Sequence, residues 1–177
     1  MRVFFALVAS FVLVAGNAFA QTPYAGMQSR QIKALSPDQI ADLKAGRGMG
    51  LALAAELNGY PGPAHVLQLS EQLELSAEQK ARVQNLFDSM TAEALPLGAK
   101  LLEQETALDK QFSGRSVTSE TLKAATSSIG ETLGKLRDTH LKYHLQTAQI
   151  LSVDQMQHYA MLRGYGSEPH AQHHHMQ

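Results

Sequence analysis

Apolar residues recur at spacings of three, four and seven along two long stretches of the chain. From Ala77 to Phe112, the positions Val83, Phe87, Met90, Ala94, Leu97, Leu101, Leu108 and Phe112 form a narrow stripe on an otherwise polar segment. After Thr118, the inner positions are Leu122, Ala125, Ile129, Leu133, Leu136, His140, Tyr143 and Thr147. This is the period of an amphipathic α-helix, so the pattern predicts two long helices. Pro96 lies inside the first and predicts a kink, because proline removes a backbone donor and clashes with the preceding turn. Ser113-Gly114 ends that helix and sets up the reversal into the second.

Shorter elements flank this pair. Ser36-Pro37-Asp38-Gln39 opens a helix that runs to about Lys44. A second is predicted from about Ala64 to Leu73, with Val66, Leu69 and Leu73 on one face, and a last one from Ser152 to near Gly164. Between them, Gly46-Arg47-Gly48-Met49-Gly50 leads into the alanine- and leucine-rich Leu51 to Leu57, and Asn58-Gly59-Tyr60-Pro61-Gly62-Pro63 is a clear break. Gln21 to Leu35 has no firm pattern and reads as a mobile lead-in. No run of alternating β-branched residues reads as a strand. The expected class is all-α.

One start signal occurs three times: Leu35-Ser36-Pro37-Asp38-Gln39, Leu75-Ser76-Ala77-Glu78-Gln79 and Leu151-Ser152-Val153-Asp154-Gln155. The serine accepts a bond from the backbone donor three residues on, and the glutamine reaches back, which makes a capping box. The acidic residue in the first turn complements the helix dipole. The leading leucine can staple against Ile40 or Met156, or against the aliphatic stem of Lys80.

The two ends read differently. Residues 1–20 combine Met1-Arg2, an apolar run from Val3 to Ala15 and the small-x-small Ala18-Phe19-Ala20. That order is a secretory signal peptide with cleavage expected before Gln21. Residues 166–177 form a polar tail with His173, His174 and His175, expected to be disordered. The chain has no cysteine, so the exported protein must rely on its core or on a second subunit instead of disulfides. The formal net charge is −1, and loss of Arg2 with the leader makes it more negative. Nucleic-acid binding, which needs a basic footprint, is not expected.

The leader, the all-α pattern and the recurring Leu-Ser-x-x-Gln resemble the Spy/CpxP group of periplasmic proteins. That group carries Leu-Thr-x-x-Gln at two helix starts, and Leu75, Ser76 and Gln79 with Leu151, Ser152 and Gln155 occupy those places here. Serine replaces threonine each time, and Pro37 to Pro61 lies outside the resemblance, which spans roughly Pro63 to Gly164. The resemblance implies a bent antiparallel helical hairpin, paired into a cradle-shaped homodimer. It also implies stress-response work in the periplasm: ATP-independent shielding of unfolded proteins, partnership with an envelope sensor kinase, or heavy-metal sensing and resistance. The domain plan is then a signal peptide at 1–20, an N-terminal segment at 21–62, a Spy/CpxP-like domain at 63–165 and the tail at 166–177.

Candidate chemistry is sparse. His140 and His144 stand four apart, so both project from one helix face. Imidazoles at that spacing suit Zn, Cu or Ni, although a packed histidine with a hydrogen-bond partner fits the same pattern. His65 precedes Leu75 by ten residues and His140 precedes Leu151 by eleven, so the helices before the two boxes can bring His65 to His140. Met49 offers a soft donor. The tail histidines are a weaker metal tract, while Met27, Met90, Met156 and Met161 read as packing residues. There is no Gly-x-Ser-x-Gly, His-Glu-x-x-His or cysteine nucleophile, so no enzyme and no required cofactor are expected. Gly46–Gly50 lacks a Gly-Lys-Ser/Thr ending and a preceding strand, so it reads as a tight turn or a close helix contact. The favoured expectation is a periplasmic chaperone, and the alternative a histidine-based metal sensor.

Overall fold

The computed structural model describes residues 24–165; the leader and the histidine-rich tail lie outside the described residues. The described residues fold as helices: α1 (Pro37–Lys44), α2 (Leu53–Glu56), α3 (Pro63–Gln68), α4 (Ala77–Ser113), α5 (Ser119–Ala148) and α6 (Val153–Leu162), preceded by a 3-10 turn at Met27–Ser29. The long helices α4 and α5 pack against each other as a hairpin, and α1 and α3 lie against α4. α4 runs through Pro96 without interruption. No described helix is long and apolar enough to cross a membrane.

Two apolar clusters hold the assembly. At the base of the hairpin, Val66, Leu73, Val83, Leu151 and Tyr159 are buried together, with Leu75 and Met156 against them. Midway along, Leu43 of α1 is buried with Ala94 and Leu101 of α4 and Leu136 of α5. Gly98 permits that second cluster: a Cβ there would lie 2.4 Å from the Leu43 carbonyl oxygen, so α1 sits directly on the α4 backbone.

All three serine capping boxes are formed, each with the serine hydroxyl accepting from the third backbone N–H and the glutamine accepting from the serine N–H. Thr118 and Thr121 form a fourth, at the start of α5. The two boxes at the base do more than cap. Gln79 Nε2 donates to Gln155 Oε1 at 2.9 Å, and Gln155 Nε2 donates back to Gln79 Oε1 at 3.1 Å. Gln79 also donates to the Ile150 carbonyl and Gln155 to the Leu73 carbonyl. A glutamate could still accept from its own cap, but it has no N–H to give to Gln155 Oε1 or the Ile150 carbonyl and would set its charge against those oxygens. Gln79→Glu should therefore cost about 1–3 kcal/mol, the usual effect of leaving buried groups without partners. Gln39, exposed and with no such partner, should tolerate Gln39→Glu with little change. Thermal melts of the two variants check this difference.

Several elements depart from the sequence expectation. α3 ends at Gln68 rather than Leu73; turns follow, Glu74 adopts a left-handed φ of 50°, and Leu73 is buried from outside any helix. The described part of the lead-in is not loose, since Ile32 is buried and Leu35 packs on the second cluster. Met161 is exposed rather than packed. On α5, Leu122 and Leu133 are exposed, while Thr132 and Thr139 are buried. A straight helix drifts relative to a seven-residue spacing, so one stripe cannot face the partner along its whole length. Buried Thr147 is satisfied within the helix, its hydroxyl donating to the Tyr143 carbonyl at 2.7 Å.

Burial ends well before the hairpin tip. No residue from 102 to 131 is buried. The apolar stripes continue through this part, where the N-terminal segment reaches only the near end of α4, with Lys33 paired to Asp109. Leu108 and Ile129 are half-buried, and Phe112 is 54% exposed.

Candidate functional site

The densest polar cluster surrounds Glu56, which is only 5% exposed. It sits at the end of α2, a four-residue helix of otherwise apolar composition, Leu53-Ala54-Ala55-Glu56. The carboxylate is held from several elements. The Gly62 N–H donates to Oε2 at 3.2 Å, and the hydroxyls of Tyr159 on α6 and Tyr165 beyond it donate to Oε1. Arg163 Nε lies 3.4 Å from Oε1. His65 Nδ1 is 3.3 Å from Oε1 and His144 Nδ1 is 3.7 Å from Oε2. Burial alone would raise the Glu56 pKa. The Tyr159 hydroxyl, charge on His65 and His144, and the Gly62 N–H outweigh it and hold the pKa below the usual carboxylate value. Burial, then Glu56 itself, pushes the Tyr159 hydroxyl well up, so it remains a donor.

Glycines let the histidines approach the loop backbone. His144 Nδ1 lies 2.7 Å from the Tyr60 carbonyl oxygen, which fixes the proton on Nδ1. A Cβ on Gly62 would lie 2.7 Å from His144 Cε1 and Nε2. A Cβ on Gly48 would lie 3.3 Å from His140 Nδ1. Gly46 and Gly50 have φ of 66° and 82°, so this loop turns where other residues would be strained.

Beside the cluster lies a cavity of about 440 Å³. His65, His140 and His144 all border it, together with Met49, Met90 and Glu56. The expected approach of His65 and His140 thus takes the form of a shared cavity wall. Among the described residues, no three His, Cys, Asp or Glu side chains are grouped so as to hold a metal ion. The tail residues His173, His174 and His175 lie outside the described residues.

Comparison with family models, with curated proteins and with solved structures gives no match. The likeness to the Spy/CpxP group rests on the residues that carry it.

Sequence reasoning passed over Glu56, Tyr159, Arg163 and Tyr165. The one available signal was a carboxylate alone in the apolar segment Leu51 to Leu57; charged residues are rarely buried unless paired. His140, by contrast, was legible as a buried position. It is 2% exposed, and its Nε2 has no hydrogen-bond partner. Burial first, then the charge of His144, lowers its pKa, so the ring is held neutral.

A lowered pKa on a base gives stability that is complete above the ordinary value of 6.5 and is lost as the pH falls through the lowered one. Leucine at this position carries no such dependence. Melts from pH 8 to pH 5 should show His140→Leu gaining on the wild-type chain as the pH falls. A constant gap between the two would contradict the neutral, buried assignment.

Proposed function

We propose that this chain is an exported, ATP-independent chaperone of the Spy/CpxP type, which holds unfolded client proteins on the distal half of its hairpin. The observation that carries this reading is the mismatch between pattern and burial: the apolar stripes run to the tip, yet no residue from 102 to 131 is buried. Phe112 and Leu122 are left at 54% and 36% exposure. Isolated apolar side chains on a surface are ordinary, but a continuing stripe on a thin two-helix layer is a surface for a partner. Flexible apolar side chains among polar ones can repack against many clients and hold each weakly. A second copy, as the resemblance implies, would turn two such layers into a cradle. The Glu56 cluster and the paired glutamines keep the base rigid while the tip stays available.

Light scattering of an unrelated protein unfolding in the presence of this one tests the reading. Suppression of aggregation without nucleotide, with a dimer in sedimentation, is expected. A monomer that leaves aggregation unchanged at molar excess would contradict it.

The second reading, a heavy-metal sensor or resistance protein using His65, His140 and His144 for Zn, Cu or Ni, is favoured by their shared cavity. It is weaker because no three His, Cys, Asp or Glu side chains group so as to hold a metal ion among the described residues. Tight Zn(II) or Ni(II) binding abolished by His140→Ala would restore it.

A further inference from the structure

We infer that the hairpin face beneath α1 is a second client surface, for short amphipathic segments of unfolded proteins, and that α1 occupies it until a client displaces it. This rests on the client-binding reading and adds to it a built-in competitor.

The face is continuous with the uncovered tip. Leu43 of α1 is buried against Ala94 and Leu101 of α4 and Leu136 of α5. By helical spacing the same α4 stripe runs on to Leu108 and Phe112, where α1 no longer lies over it. The apolar face therefore does not end at Leu101; its cover does. Gly98 lets α1 sit against the α4 backbone itself, with the Leu43 carbonyl oxygen 2.4 Å from a Cβ position there.

The cover is lightly held. From residue 24 to residue 50, only Ile32, Leu43 and Gly46 are buried. Among the described residues, one side-chain bond ties this stretch to the hairpin: Lys33 Nζ to Asp109 Oδ2, at 3.4 Å, with the lysine side chain 49% exposed. Exposed ion pairs of this kind contribute little. A groove of about 370 Å³ remains where Ile32 and Ile40 face Leu102 and Ala107, so the packing there is incomplete. Few buried contacts and an exposed tie are the features of an element that opens locally, ahead of the rest of a fold.

The chain after α1 is built to turn. Gly46 and Gly50 have φ of 66° and 82°, with Met49 at 46° between them. Positions of this kind absorb the backbone rotation of a hinge. Beyond them, Glu56 is fastened to α3, α5 and α6. α1 can thus leave the hairpin while the base stays assembled.

The occupant itself shows what the face accepts. α1 is an eight-residue helix, Pro37-Asp38-Gln39-Ile40-Ala41-Asp42-Leu43-Lys44. Ile40 and Leu43, three apart, lie against the hairpin, while Asp38, Gln39 and Lys44 are exposed. A client segment with apolar residues three or four apart and charged residues between them presents the same pattern, the usual mode of helix-in-groove recognition. Exchange of one such segment for the other leaves little apolar surface bare at any stage.

The test locks α1 down. The chain has no cysteine, so Lys33→Cys with Asp109→Cys can be joined by a bis-maleimide linker that contains a reducible disulfide. Reduction cuts the tether but leaves both halves attached, so the two forms differ in the tether alone. The tethered chain should protect an unfolding client several-fold less than the reduced one, and client should speed hydrogen exchange of the α1 amides in the reduced form only. In the opposite direction, Lys33→Glu sets like charges together and should open α1 roughly twofold to fivefold more often, read as faster α1 exchange, with protection raised. Gly98→Ala pushes α1 off α4 and should raise protection although it lowers stability; should it fail to fold, Lys33→Glu decides. Equal protection with and without the tether, or α1 exchange that client does not change, would overturn the inference while leaving the tip as the client surface. No protection by any form would overturn the client-binding reading and this inference with it.

Discussion

Glu56→Ala is expected to be among the most damaging single substitutions in the chain, lowering stability by about 3–5 kcal/mol. The side chain links α2, the Gly62 turn, α3, α5 and the segment from Tyr159 to Tyr165. Its removal leaves the Arg163 guanidinium without its buried counter-charge and the Tyr159 hydroxyl and Gly62 N–H without an acceptor. For a domain of this size the loss corresponds to a fall in melting temperature of roughly 10 °C or more. The pH dependence has a definite sign. The pKa of Glu56 is lowered on folding, so its contribution is complete above its ordinary value of 4.5 and is lost as the pH falls through the lowered value. The difference between the wild-type chain and Glu56→Ala should thus shrink as the pH falls into the acid range. A cost below about 1 kcal/mol would mean that the cluster is not a structural centre.

Gly98→Ala should cost about 1–3 kcal/mol, although alanine is the better helix former. The added Cβ would lie 2.4 Å from the Leu43 carbonyl oxygen and 3.1 Å from its carbonyl carbon, so α1 must move off α4. Backbone cannot rotate away as a side-chain tip can. The control is internal to the same hairpin. Gly130 and Gly134 lie within α5 with nothing within 4 Å of a Cβ, so Gly130→Ala and Gly134→Ala should each stabilise by about 0.5–1 kcal/mol. Denaturant melts of the three variants give the opposite signs directly. A stabilising Gly98→Ala would place α1 elsewhere.

Much of this fold was readable because its signals are local. Ser36, Ser76 and Ser152 mark helix starts through chemistry that lies within four residues, and α4 and α5 are long enough for their period to be unambiguous. What lay beyond reach depends on contacts distant in sequence. The pairing of Gln79 with Gln155 joins residues that each already explained themselves as caps. The role of Glu56 is set by Tyr159 and Arg163, more than a hundred residues away. The stripe on α5 was legible as apolar, but which of its positions are covered was not. Leu122 and Leu133 belong to the pattern as fully as Leu136 does, and the drift of the stripe around α5 and the cluster that Leu43 joins separate them. The histidines at 65, 140 and 144 border one cavity, and the carboxylate beside His65 and His144 was not foreseen.

The central claim is that the uncovered tip of the hairpin, not its base, holds clients. Its most direct test is aggregation suppression by the double variant Phe112→Ser, Leu122→Ser. These side chains are exposed and lie outside both apolar clusters, so the variant should melt close to the wild-type chain. The control is Leu53→Ser, Met161→Ser, which removes apolar residues that are together more exposed than the tip pair from α2 and α6. The account predicts that the tip variant loses most of its protection of the unfolding client while the control retains it. Equal protection by the tip variant and the wild-type chain, or loss in the control alone, would contradict it.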